Sequence, residues 1–125
     1  MNVTPQEARR VVMGCQSELE QNTEKLATAV AERTDAKLAY ERAQLLERAK
    51  LVDAYSGQRM PAEDLRNALV FEQVDEGLYD EFVRKDAEVE VLKLKSRALA
   101  DRMSGAQSVL SSLKDEWKGV GYGSA

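Results

Sequence analysis

Five cations, Lys37, Arg42, Arg48, Lys50 and Arg59, fall within a stretch of 23 residues that also holds Tyr55. Cations can neutralise phosphates, and a ring beside them can stack on an unpaired base, so this set is a candidate single-strand nucleic-acid groove. Tyr55 is equally placed to close a helical core, the simpler role for it. A second group, Asp75, Glu76, Asp80 and Glu81, surrounds Gly77. A Ca²⁺ loop needs oxygen ligands at alternate positions around a defined turn, and this spacing does not supply them. Cys15 is the lone cysteine and histidine is absent. Neither a Ser-His-Asp triad nor a Cys/His metal cluster can therefore be built. No catalytic residue, metal or cofactor is expected, and the chain is not read as an enzyme.

The elements that must position these residues are long helices. Ala, Leu, Glu, Arg and Lys make up 62 of the 125 residues, the composition of coiled coils. Thr4-Pro5-Gln6-Glu7 reads as a capping box, with Thr4 at the N-cap and Pro5 in the first helical position. The helix it opens is predicted over about 5–55. Its apolar residues are Val12, Cys15, Leu19, Leu26, Val30, Leu38, Leu45 and Val52, mostly at helical spacings. Ser56-Gly57-Gln58-Arg59-Met60-Pro61 is a stop and restart, with Gly57 suited to the left-handed cap and Pro61 to the first turn of the next helix. That short helix is predicted over about 61–74, with an apolar side of Leu65, Leu69 and either Val70 or Phe71. Gly77 marks a kink or break, and Asp75 a cap.

The last helix is predicted over about 78–118. Val89, Leu92, Leu99, Met103, Leu110, Leu113 and Trp117, together with Ala106, recur every three and four residues, and only Ser96 breaks the seam. Four such heptads are a coiled-coil signature, and a lone polar residue in one sets register. Leu78 and Phe82 extend the seam backwards. The glycines beyond residue 118 predict a flexible tail over 119–125. The fold class expected is all-α: a long antiparallel helical hairpin with a short intervening helix, one domain over 1–125, assembling into an oligomer.

Charge is segregated along the chain. Net charge is +2 over residues 33–59, −7 over 60–90 and +3 over 91–125, within a total of −4. An antiparallel hairpin sets the +2 block beside the −7 block. An ordinary solvated coiled-coil rim accounts for most of these charges, which set register more than they stabilise. No apolar run approaches a membrane span, and the first residues lack an export pattern. A cytoplasmic location without membrane contact is expected.

Asp53-Ala54-Tyr55-Ser56-Gly57, at the end of a long helix and preceded by basic residues, resembles the D-x-Y-S-G turn of the UvsY recombination mediators of T-even-type phages. The likeness continues through the acidic stretch, Lys85-Asp86-Ala87-Glu88-Val89, and Ser104-Gly105-Ala106 followed by an apolar run and Lys114. It covers residues 45–118. The resemblance implies a ring-like homo-oligomer of helical hairpins that binds single-stranded DNA coated with single-strand-binding protein and helps load a RecA-like recombinase. It carries DNA contact over to Arg48 and Lys50, a pair displaced by about one residue from the family's. Lys37, Arg42 and Arg59 come from the basic cluster alone. The alternative expectation is a structural or inhibitory coiled-coil protein that binds a protein partner through its acidic 60–90 segment.

Overall fold

The computed structural model describes the backbone of residues 3–123 and the side chains of residues 3–116. It holds three helices, α1 (Pro5–Ala54), α2 (Glu63–Gln73) and α3 (Glu76–Gly123), with no strand among the described residues. The fold is an all-α helical hairpin in which α1 and α3 pack along each other. The helices divide between two packed units, one of residues 28–90 and one of the segments on either side.

Local chemistry sets the helix ends. The capping box is formed: the Thr4 amide donates to Glu7 Oε2 and the Glu7 amide to Thr4 Oγ1, each at 3.2 Å. Both donors would otherwise be orphaned at a helix start. α1 ends at Ala54, and Gly57 turns the chain at φ +76°, a conformation that costs a side-chain-bearing residue more than glycine. α2 begins at Glu63, so Pro61 precedes the N-cap, Ala62, rather than lying in the first turn. The extended backbone of Ala62 (φ −57°, ψ 153°) delays the helix, and Glu63 and Asp64 then complement its dipole. α3 starts two residues earlier than the sequence suggests. Asp75 Oδ1 accepts from the Gly77 amide at 3.0 Å, so Asp75 is the cap and Gly77 lies inside the first turn instead of breaking the chain. At its other end α3 continues to Gly123, through backbone predicted to be a tail. Each glycine costs a helix about 1 kcal/mol, but none removes a hydrogen bond as proline would.

In the unit of residues 3–27 and 91–123, Ala8, Cys15, Asn22 and Leu99 are buried. Leu92, Ser96, Met103, Ala106, Leu110 and Leu113 are half-buried along the same face of α3. Trp117 belongs to the predicted seam but lies outside the described side chains. Asn22 is 1 % exposed. Its Nδ2 donates to the Leu92 carbonyl at 2.9 Å and to Ser96 Oγ at 2.5 Å. The break that Ser96 makes in the apolar seam of α3 is therefore answered by the one buried polar residue of α1.

In the unit of residues 28–90, Ala29, Val70, Val74 and Val89 are buried, Val89 completely. Val70 is the inward residue of α2, while Leu65 and Phe71 are 54 % and 55 % exposed. The apolar side of α2 is thus centred on Val70, with Leu69 half-buried beside it. Lys85 occupies the seam position between Phe82 and Val89 and reaches Glu32 Oε2 at 2.6 Å and Glu88 at 3.5 Å. Arg33 pairs with Asp86 at 3.4 Å. The hydrogen bond to Glu32 holds the Lys85 ammonium above its ordinary pKa of 10.5, with charge attraction from Glu32 and Glu88 adding to it and desolvation opposing it. A raised ammonium pKa gives stability that is full below 10.5 and lost as pH rises through the folded value. Lys85→Met is therefore expected to melt below the wild type at pH 8, with the gap narrowing as the pH is raised past 10.5. A gap that does not narrow would mean that the charge contributes nothing.

Candidate nucleic-acid interface

α1 rotates about 100° per residue, and this separates the four predicted cations that it carries, Lys37, Arg42, Arg48 and Lys50. Lys37 and Arg48, eleven residues apart, share a face to within about 20°. Lys50 lies about 200° from Arg48, across the helix. Arg42 falls on the side opposite the packed seam. All four are exposed, as is Arg59 in the turn after α1. Lys50 is held by Glu47 at 3.1 Å, and Lys37 lies 3.9 Å from Glu41. The structure therefore does not gather Lys37, Arg42, Arg48, Lys50 and Arg59 into one stripe, because helical rotation distributes the first four around α1 and Arg59 lies in the turn beyond it.

Arg48 is drawn instead toward α2. Its Nη2 donates to Asn67 Oδ1 at 3.5 Å. With Arg66 of α2 it borders a groove of about 240 Å³, which Val52, Met60 and Val70 floor and Glu63 also lines. Arg66 Nε is buried there without a hydrogen-bond partner. Two guanidinium groups, one from each helix, thus meet at one groove, and Arg59 lies in the connecting turn beside Met60. Guanidinium forks suit phosphate oxygens. Arg66 did not stand out in the sequence because it sits alone inside an acidic segment, and only the packing of α2 on α1 brings it to Arg48. Tyr55 is half-buried and lines a neighbouring open groove together with Leu51, Leu69 and Val70. It does not line the groove that Arg48 borders.

A second feature is the outward face of α1. Leu38, Leu45 and Val52, at strict seven-residue intervals, are 43 %, 66 % and 58 % exposed. The sequence pattern takes them for core. The α1 face that packs in this unit is instead made of Ala29, Ala36, Tyr40, Ala43, Glu47 and Leu51. Small residues there let a neighbouring helix approach closely, and the larger aliphatic residues are left outside. In the other unit Val91 and Leu94 of α3 are likewise exposed. No cluster of His, Cys, Asp and Glu fit to hold a metal exists among the described residues, and none of their helices is long and apolar enough to cross a membrane.

Against known proteins, no family model matches the chain, and no curated protein or solved structure is found to be similar to it.

Proposed function

We propose that this chain is a non-enzymatic recombination mediator, a homo-oligomer of helical hairpins that organises single-stranded DNA and helps load a RecA-like recombinase onto strands coated with single-strand-binding protein. The observation that carries the DNA contact is the groove bordered by Arg48 and Arg66. The recombinase, the coat protein and the ring come from the resemblance over residues 45–118. One groove with two guanidinium groups binds phosphate weakly. A closed assembly repeats it once per copy, and linked weak sites gain avidity without new contacts. The exposed Leu38, Leu45 and Val52 stripe supplies an assembly face of heptad spacing. Val52 also floors the groove, so on this reading assembly sets neighbouring grooves along one edge.

The test is fluorescence anisotropy of a labelled poly-dT strand at low and physiological salt. Wild-type binding is expected to fall steeply with salt, through counterion release, and to exceed binding to a duplex of equal length. Arg48→Ala with Arg66→Ala should weaken binding at least about tenfold at low salt, in line with the loss of two phosphate contacts per copy. Lys50→Ala, on the far side of α1, should change it little. Leu45→Glu should reduce the mass seen by light scattering, and DNA affinity with it. Unchanged affinity in the double arginine variant, with helicity intact, would remove the groove from the reading.

A further inference from the structure

Four aromatic rings are linked at the junction of α2 and α3. Tyr40 and Tyr79 have ring centroids 5.5 Å apart, Tyr40 stacks parallel to Phe82 at 6.3 Å, and Phe71 meets Tyr79 edge-on at 5.5 Å. Tyr40 and Phe82 are half-buried and belong to the packed interior. Phe71 and Tyr79 are not: they stand 55 % and 40 % exposed. With Tyr40 and Val74 they wall an open cavity of about 340 Å³. A junction that served only to close the hairpin would bury these rings, since each carries a large apolar area.

The sign of the cavity is unambiguous. Glu72, Glu76 and Asp80 also line it. None of the three makes an ion pair with a described residue. Their neighbours are occupied, Asp75 by the Gly77 amide and Glu81 by Arg84. Between Arg66 and Arg84 the chain holds five carboxylates and no lysine or arginine. The negative faces of aromatic rings and unpaired carboxylates favour the same kind of occupant, a cation. A hard metal ion is a poor fit, because rings supply no oxygen ligands. A phosphate-bearing ligand would be repelled. A guanidinium fits best: its plane lies flat on a ring while its fork reaches carboxylates, whereas an ammonium offers only a compact and strongly hydrated charge.

We propose that the cavity walled by Phe71, Tyr79 and Tyr40 and rimmed by Glu72, Glu76 and Asp80 is a receptor for an arginine side chain of a partner protein. It is separate from the Arg48–Arg66 groove and does not depend on DNA binding. Phe71 supplies the stacking face, and Glu72 and Asp80, from different helices, supply the carboxylates. The site exists only where α2 and α3 meet beside Tyr40 of α1, so no contiguous motif announces it.

The experiment titrates the full-length protein with three capped pentapeptides, identical except for arginine, lysine or citrulline at the central position. Aromatic ¹H–¹³C spectra report the Phe71 and Tyr79 rings. The arginine peptide is expected to shift both rings saturably, the lysine peptide to bind at least tenfold more weakly, and the neutral citrulline peptide not to bind. Phe71→Ala should weaken arginine binding at least tenfold and Phe71→Tyr should restore it. Glu72→Gln with Asp80→Asn should weaken it comparably. These side chains are exposed, and circular dichroism checks that each variant keeps its helicity. Poly-dT binding should be the same in Phe71→Ala as in the wild type, which separates failure here from failure of the DNA reading. Equal binding of the citrulline or lysine peptide, or full binding by Phe71→Ala, would overturn the proposal.

Discussion

Ala29→Leu is expected to destabilise the unit of residues 28–90 by about 1–3 kcal/mol, the usual cost of forcing methylenes into a packed core. The pairs Glu32–Lys85 and Arg33–Asp86 fix the antiparallel register in this unit. Three steps from Glu32–Lys85 pair Ala29 with Glu88 and four steps from Arg33–Asp86 pair it with Glu90, so Ala29 lies level with Val89 between them. Ala29 is 5 % exposed and Val89 is fully buried, so the space that three extra carbons need is already filled. Val89→Ala alone should cost about 2 kcal/mol, from two lost methyl groups and a residual cavity, partly offset by the better helix propensity of alanine. The double variant Ala29→Leu/Val89→Ala moves volume from one helix to the other with little net change. Its loss in urea denaturation should therefore fall short of the sum of the singles by at least about 1 kcal/mol, the coupling expected of residues that share space. Simple additivity would mean that the two positions do not meet and that the register is wrong. Losses of this size matter because a domain holds only about 5–15 kcal/mol in total.

The same pairing shows where the sequence is legible. Helix ends written in side-chain chemistry can be read directly: Thr4 and Glu7 cap α1, Gly57 turns the chain, and Asp75 caps α3. The seam of α3 is legible because its apolar residues are large and their three-four alternation has one consistent phase. Ser96 keeps that phase even though it breaks the apolarity. α1 misleads for a physical reason. Its buried positions recur every seven residues as Ala8, Cys15, Asn22 and Ala29, residues that are small or polar and let helices come close. Its large aliphatic residues Leu38, Leu45 and Val52 follow the same period on the outer face. Apolarity alone therefore finds the right period and, in the second half of α1, the wrong face. Lys85 is hidden in the opposite way. A charged residue in a seam position reads as a rim residue until Glu32 and Glu88 are seen to hold it.

The candidate sites were the least legible part, because each joins residues from two or more helices. Arg48 stands out among the basic residues of α1, but its neighbour Arg66 is 18 positions away in an acidic stretch. Lys50, two residues from Arg48, looks like its partner on paper and lies across the helix in space. The rings of Tyr40, Phe71 and Tyr79 come from three different helices. Charge blocks and motifs are local in sequence, whereas a groove is local in space, and the angle at which α2 meets α1 and α3 is not encoded in any one segment. Both readings of the surface therefore rest on pairs of residues whose joint removal can be measured.

Asn22→Leu is expected to stabilise the protein while making its pairing less exact. Asn22 Nδ2 makes two hydrogen bonds, each worth about 1 kcal/mol net, but its Oδ1 is buried without a partner, a cost of about 1–3 kcal/mol. These contributions roughly cancel. Leucine has nearly the same shape and adds the transfer of a buried aliphatic side chain, about 2 kcal/mol. Nothing is orphaned by the change, since the Leu92 carbonyl belongs to a continuous helix and the Ser96 hydroxyl can turn onto a carbonyl one turn back. The net expectation is a gain of about 1–3 kcal/mol and a melting temperature several degrees higher. The corresponding loss is specificity. A buried asparagine facing a serine penalises every arrangement in which the two do not meet, whereas leucine tolerates them. Analytical ultracentrifugation should therefore show a broader mass distribution for Asn22→Leu than for the wild type at equal concentration. A lower melting temperature would show that the Asn22 hydrogen bonds outweigh its orphaned oxygen. A higher one with an unchanged mass distribution would leave Asn22 without a role in register and assign that role to the ion pairs of Glu32 and Arg33.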